Sequence, residues 1–230
     1  MKKVLISVIT LLISTTTFAG NNDIYITQTG TGLTLTIDQI GATNTVGTSG
    51  ARAVVSGTSM TIDIDQIGSG NSLAASILQA NSTSWTYSLT GGTSSATFAV
   101  GAGGDVAGSD FDYTATGGDS NVLIWTQGAA SAATSADTDF IISGGSNNIN
   151  ATCEVVGCIN TWDITGDTND IDTLQTGSAN HQIVVDLTGS SMDIDIDQTD
   201  SSSTNVANLL LQSSGGSGSS INIDQCASGC

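Results

Sequence analysis

The 230-residue chain has no proline, one histidine (His181), one glutamate (Glu154) and three basic residues, Lys2, Lys3 and Arg52. Each shortage removes a class of function. With a formal net charge of −18, the chain repels nucleic acid and anionic lipid and favours cations or cationic surfaces. A single imidazole cannot build a His-metal cluster. His181 directly follows a repeat asparagine, where a turn role outweighs that of a catalytic base. No nucleophile elbow or phosphate loop is present. Carbohydrate-active β-helices set Arg or Lys beside their Asp clusters, and here Arg52 stands alone. No enzyme is expected. Glu, Lys and Arg, the long helix formers, are nearly missing, while 28 Gly accompany abundant Ser, Thr, Asn and Asp. That composition reads as all-β. Apolar residues at 38% and a mean hydropathy of +0.15 argue against disorder.

The N-terminus sets the compartment. Met1-Lys2-Lys3 precedes an apolar run from Val4 to Ile13, and Thr17-Phe18-Ala19 follows. This is the pattern of a secretory signal peptide, with cleavage expected after Ala19. The run is too short to cross ~30 Å of hydrocarbon, and no second apolar stretch could span a membrane. The expected organisation is a signal peptide over residues 1–19 and one repeat domain over 20–230, secreted to the extracellular space or cell surface. Losing Lys2 and Lys3 but no acid takes the net charge from −18 to −20.

What the chain has is a repeat. The frame Gln-x-Gly-x-x-Asn is complete at Gln39-Gly41-Asn44, Gln66-Gly68-Asn71 and Gln175-Gly177-Asn180. A sister frame with an aliphatic residue in the Gln slot begins at Ile142, Val155 and Ile164; degenerate copies begin at Gln28, Val55, Leu89, Leu187, Gln198, Gln212 and Gln225. The step is about eleven residues, with longer insertions between 97 and 140. Before each frame the sequence alternates, as in Ile62-Asp63-Ile64-Asp65-Gln66 and Ile194-Asp195-Ile196-Asp197-Gln198. Period-two alternation means a strand buried on one side, and the glycine segment after it supplies turn residues. One strand and turn cannot bury its own apolar face. Stacked coils of two units, ~22 residues each, can share a continuous core. About eight coils at ~4.8 Å each would stand about 40 Å tall. The Gln shares the buried face with Ile, which is costly unless its amide is paired. Identical amides one coil apart can pair in a ladder.

These residues resemble the curlin repeat, from the curli fibres of bacterial biofilms. Gln39, Gly41 and Asn44 match its pattern, as do Gln66, Gly68 and Asn71, and Gln175, Gly177 and Asn180. The resemblance implies a β-solenoid with inward Gln and Asn ladders. It also implies a partner that is the chain itself, stacked head to tail in an amyloid-type fibre for adhesion or biofilm matrix. A nucleator and a secretion channel would be further partners. Two departures stand out: Met60 replaces the family's strand-initial Ser, and four Cys are present.

Other residues are read against simpler roles. Four Cys in an exported chain suggest disulfides. Cys153 with Cys158 and Cys226 with Cys230 is the preferred pairing, because each closes a single turn; the spacing is wrong for zinc. The outward Asp rows (Asp63 and Asp65; Asp193, Asp195 and Asp197) offer the oxygen ligands Ca²⁺ takes, or simply form a solvated acidic face. No other cofactor is expected. Trp85, Trp125 and Trp162 share the buried parity, which favours core packing. The alternative function is a soluble, capped solenoid that binds ice, cations or a glycan without polymerising.

Overall fold

The computed structural model describes residues 8–11, 21–101, 107–118, 120–127, 137–154, 158–177, 181–200, 205–213 and 218–227. In chain order the strands are β1 (Val8–Leu11), β2 (Asn21–Ile24), β3 (Thr27–Thr31), β4 (Thr34–Ile40), β5 (Thr43–Val46) and β6 (Ala53–Thr58). Next come β7 (Thr61–Asn81), β8 (Ser84–Val100), β9 (Asp110–Thr116), β10 (Ser120–Gln127), β11 (Asp137–Ser143) and β12 (Ser146–Cys153). The last are β13 (Ile159–Thr165), β14 (Thr168–Gly177), β15 (Gln182–Gly189), β16 (Ser191–Asp200), β17 (Val206–Ser213) and β18 (Ser220–Ala227).

These strands wind into a parallel β-solenoid. It has two faces. The front face stacks β1, β4, the first part of β7, the first part of β8, β9, β11, β13, β15 and β17. The back face stacks β2 with β3, β5 with β6, the later parts of β7 and β8, then β10, β12, β14, β16 and β18. Strands β7 and β8 bend through the corner at Gly68 and Gly91, so each serves both faces.

Several coils are longer than the repeat spacing predicts. Asparagines in successive coils are 22 residues apart at Asn22 and Asn44, 27 at Asn44 and Asn71, and 26 at Asn121 and Asn147. Corner loops absorb the difference. One, between β5 and β6, is closed by the Thr48–Ala51 bridge.

The alternation in sequence becomes two inner surfaces. Ile37, Ile62, Ile64, Ile171, Ile194 and Ile196 are all 1% exposed or less. Each such side chain contributes ~1.5–3 kcal/mol on leaving water. In the middle of the column aromatic rings fill the space. Trp85, Trp125 and Trp162 are buried as their parity predicts, and Phe98 packs against Trp85 and Trp125 with centroids 6.1 and 5.2 Å apart. On the outside, Asp193 and Asp195 are exposed and Asp63 and Asp65 half-buried.

Candidate functional site

Three polar columns and two open ends are the features that distinguish this solenoid chemically. The asparagine column stands at the corner from front to back face. Asn22 Nδ2 donates to Asn44 Oδ1 at 3.0 Å, and Asn44 Nδ2 to Asn71 Oδ1 at 3.0 Å. Ser94 interrupts the register. The column then resumes with Asn121 donating to Asn147 at 2.9 Å and Asn147 to Asn169 at 2.8 Å. Glycine makes the column possible. A Cβ on Gly41 would sit 2.6 Å from Asn22 Nδ2, and one on Gly68 would sit 1.8 Å from the Gly41 carbonyl oxygen. The frame therefore needs Gly two residues after Gln because the amide of the coil before reaches into that space.

The glutamines form two separate ladders on opposite faces. On the front face Gln66 Nε2 donates to Gln39 Oε1 at 2.6 Å, and the hydroxyl of Tyr87 donates to Gln66 Oε1. Beyond Gln66 the same column is aliphatic: Leu89, Ala115, Ile142, Ile164, Leu187 and Leu211. On the back face Gln198 Nε2 donates to Gln175 Oε1 and Gln225 Nε2 to Gln198 Oε1, both at 2.6 Å. Gln39, Gln66, Gln175 and Gln198 are at most 3% exposed. An unpaired amide there would cost several kcal/mol, about 2–7; the ladders meet that cost within the stack. The Gln and Asn ladders run in opposite senses. Each Gln donates toward the N-terminal end of the stack and each Asn toward the C-terminal end.

A third column was not legible in the sequence. At the corner from back to front face, a side-chain acceptor takes the backbone N–H of the coil before. Ser109 Oγ accepts from Thr83, His181 Nδ1 from Cys158 and Asn205 Oδ1 from His181, at 3.3, 3.4 and 3.5 Å. His181 is thus a buried corner residue whose Nδ1 must stay unprotonated to accept. A polar residue immediately before β9, β15 and β17 is the signal that marks this role, whereas Leu33 and Met60 hold the same place before β4 and β7.

The remaining predicted residues fall as follows. Cys153 and Cys158 form a disulfide with Cα atoms 6.4 Å apart, closing the turn between β12 and β13. Cys226 is disulfide-bonded; Cys230 lies outside the described residues, as do Asn180 and the Val155–Gly157 part of one sister frame. Gly177 pairs in register with Asp200. Gln212 does not begin an inward frame. It faces solvent, and Leu211 takes the inward place.

Acidic side chains stack on both outer faces. Asp110 and Asp112 stand in register with Asp137 and Asp139, and Asp170 and Asp172 with Asp193 and Asp195. Partial loss of hydration, and then the neighbouring carboxylates, push Asp112, Asp137 and Asp197 above the ordinary range. Asp63 is raised by loss of hydration, then by Asp65 and Asp38. Asparagines soften the rows at three places: Asn148 donates to Asp170 at 2.8 Å, Asn150 to Asp172 at 3.3 Å and Asn222 to Asp195 at 3.0 Å. Among the described residues, no group of three or more His, Cys, Asp or Glu is placed to hold a metal ion, and no helix is long and apolar enough to cross a membrane.

The ends complete the inventory. At the C-terminal end Ile221 and Ile223 continue the inward columns of Ile194 and Ile196, yet they are 47% and 41% exposed. Gln225 is exposed beside them. At the N-terminal end Ile24, Ile26, Leu33, Leu35 and Ile37 line an open cavity of about 220 Å³.

No protein-family model, curated protein or solved structure matches this chain.

Proposed function

We propose that the protein is a secreted structural subunit that stacks head to tail into an extracellular, curli-like amyloid fibre or surface adhesin, serving cell adhesion or biofilm matrix. One observation carries this reading: the inward columns run on into β18, the last strand among the described residues, and Ile221 and Ile223 there are still largely exposed. Ile221, Ile223 and Gln225 repeat, at the same spacing, the inward Ile194, Ile196 and Gln198 of the coil before. A strand edge with unmet N–H and C=O groups is a template for another chain. Proteins that stay monomeric blunt such edges with Pro, Lys or a covering helix, and among the described residues β2, β3 and β18 carry none. Related ends that meet by translation along one axis generate open filaments instead of closed rings. A surface nucleator and an export channel are the partners such a fibre would use.

Electron microscopy and fibre diffraction of the purified chain test the reading. Unbranched fibres with a meridional spacing of ~4.8 Å are expected. A protein that stays monomeric at high concentration in salt for days overturns it, and leaves the acidic rows as the feature to pursue in a cation-binding, non-polymerising solenoid.

A further inference from the structure

Strand β1 adds one more layer to the front face. It runs parallel to β4, with Val8 in register with Thr34, Ile9 with Leu35, Thr10 with Thr36 and Leu11 with Ile37. No back-face strand accompanies it among the described residues. The open cavity lies just inside this edge, where the two faces part. Among the described residues each face has nine layers with β1 in place; from β2 onward the front face has eight and the back face nine.

We propose that the edge of β4 and the adjoining cavity form a binding site for one extended strand with apolar residues at alternate positions. The site is filled in cis by Val8–Leu11 and opened when residues 1–19 are removed. The chemistry follows from what the site presents. Backbone N–H and C=O groups of β4 bind any strand laid parallel to them, as in strand addition to a sheet edge. Leu35 and Ile37, 7% and 1% exposed, demand apolar residues two apart in the ligand, and Ile9 and Leu11 have that spacing.

The layer count gives the site its consequence, which rests on the self-assembly reading. Without β1 the described strands begin and end on the back face. When β18 of one copy stacks on the β2–β3 layer of the next, the front faces of the two copies face each other across two strand spacings, about 9.6 Å. That gap admits one strand. The strands β2 to β18 are therefore one strand short of a continuous column, and an extended peptide of this type completes each junction.

Hydrogen exchange on the full chain tests the site directly. The β4 amides that face β1 are expected to exchange at least tenfold more slowly in the wild-type chain than in a variant carrying Ile9→Pro and Thr10→Pro, with β14 and β16 unchanged. A synthetic peptide covering residues 4–15 is expected to restore that protection to the processed chain, residues 20–230. The same peptide with Ile9→Asp and Leu11→Asp is expected to leave it unprotected. Equal exchange in the wild-type and proline-bearing chains, or protection that ignores the peptide's sequence, overturns the proposal. If the peptide protects β4 but no fibres form with or without it, the binding site stands and the fibre reading alone falls.

Discussion

Gln127 stacks on Cys153 in the inward column of the back face, and in that place its amide nitrogen is buried without an acceptor. The column otherwise runs Gln127, Cys153, Gln175, Gln198 and Gln225. A half-cystine has thus taken a glutamine's place, exchanging a link between coils for a covalent closure of one turn. Opening so short a loop costs about 2 kcal/mol on the chain-entropy account. Cys153→Gln with Cys158→Ser loses the bridge but joins Gln127 to Gln175. It is expected to unfold about 1–2 kcal/mol later than Cys153→Ala with Cys158→Ser. Denaturant titration of the two variants checks this; equal midpoints would mean the ladder adds nothing.

The glycine column makes a sharper forecast. Gly68→Ala puts a methyl group 1.8 Å from a backbone carbonyl oxygen that cannot move without shifting a whole coil. A loss of about 3 kcal/mol or more is expected, at the top of the range for overpacked sites. Gly50→Ala is the control, since a Cβ there meets nothing within 4 Å. Thermal melts should separate the two clearly.

Acid should stabilise this protein. The carboxyls of Asp63, Asp112, Asp137 and Asp197 hold protons more tightly in the folded chain than ordinary aspartates do, through lost hydration first and like charge second. Their contribution is complete below the unfolded value of about 3.9 and disappears as pH rises through the raised folded values. The melting temperature is therefore expected to climb as pH falls from 7.5 toward 4.5. The measurement belongs in a His181→Asn background, which keeps a corner acceptor and removes the imidazole. A melting temperature that falls on acidification would show that the stacked carboxylates are not repelling one another.

Salt should act in the same direction. Asp38 stands in register with Asp65, Asp112 with Asp139, Asp172 with Asp195 and Asp197 with Asp224. Mobile ions screen such pairs over a few ångströms at ~0.5 M NaCl. The melting temperature and any fibre growth rate are expected to rise between low salt and that concentration. Curves that superimpose would remove self-repulsion from the account.

The strands and their buried parity were legible because Ile-Asp-Ile-Asp-Gln alternates without ambiguity. Where alternation fails, so did the reading. In Asn208-Leu209-Leu210-Leu211-Gln212 three leucines in a row leave either parity open, and the inward place went to Leu211. Which glutamines share a ladder was also hidden. Gln39 and Gln66 are 27 residues apart and Gln175 and Gln198 are 23 apart. An eleven-residue step cannot decide the face once corner loops vary in length. The corner acceptors Ser109, His181 and Asn205 belong to no frame, since each acts by position and shares no residue type with the others.

Loaded along its axis, a stack of coils behaves as springs in series, and the softest spring sets the strength of the whole. Ser94 marks that spring. At its level the asparagine column is broken, the front-face glutamines have ended at Tyr87, and the back-face column holds Ile77 and Val100. Aromatic rings carry the contact there, and dispersion fades within about an ångström of separation. Tension applied to the ends would leave the amide-laddered segments on either side whole and part the column at its waist.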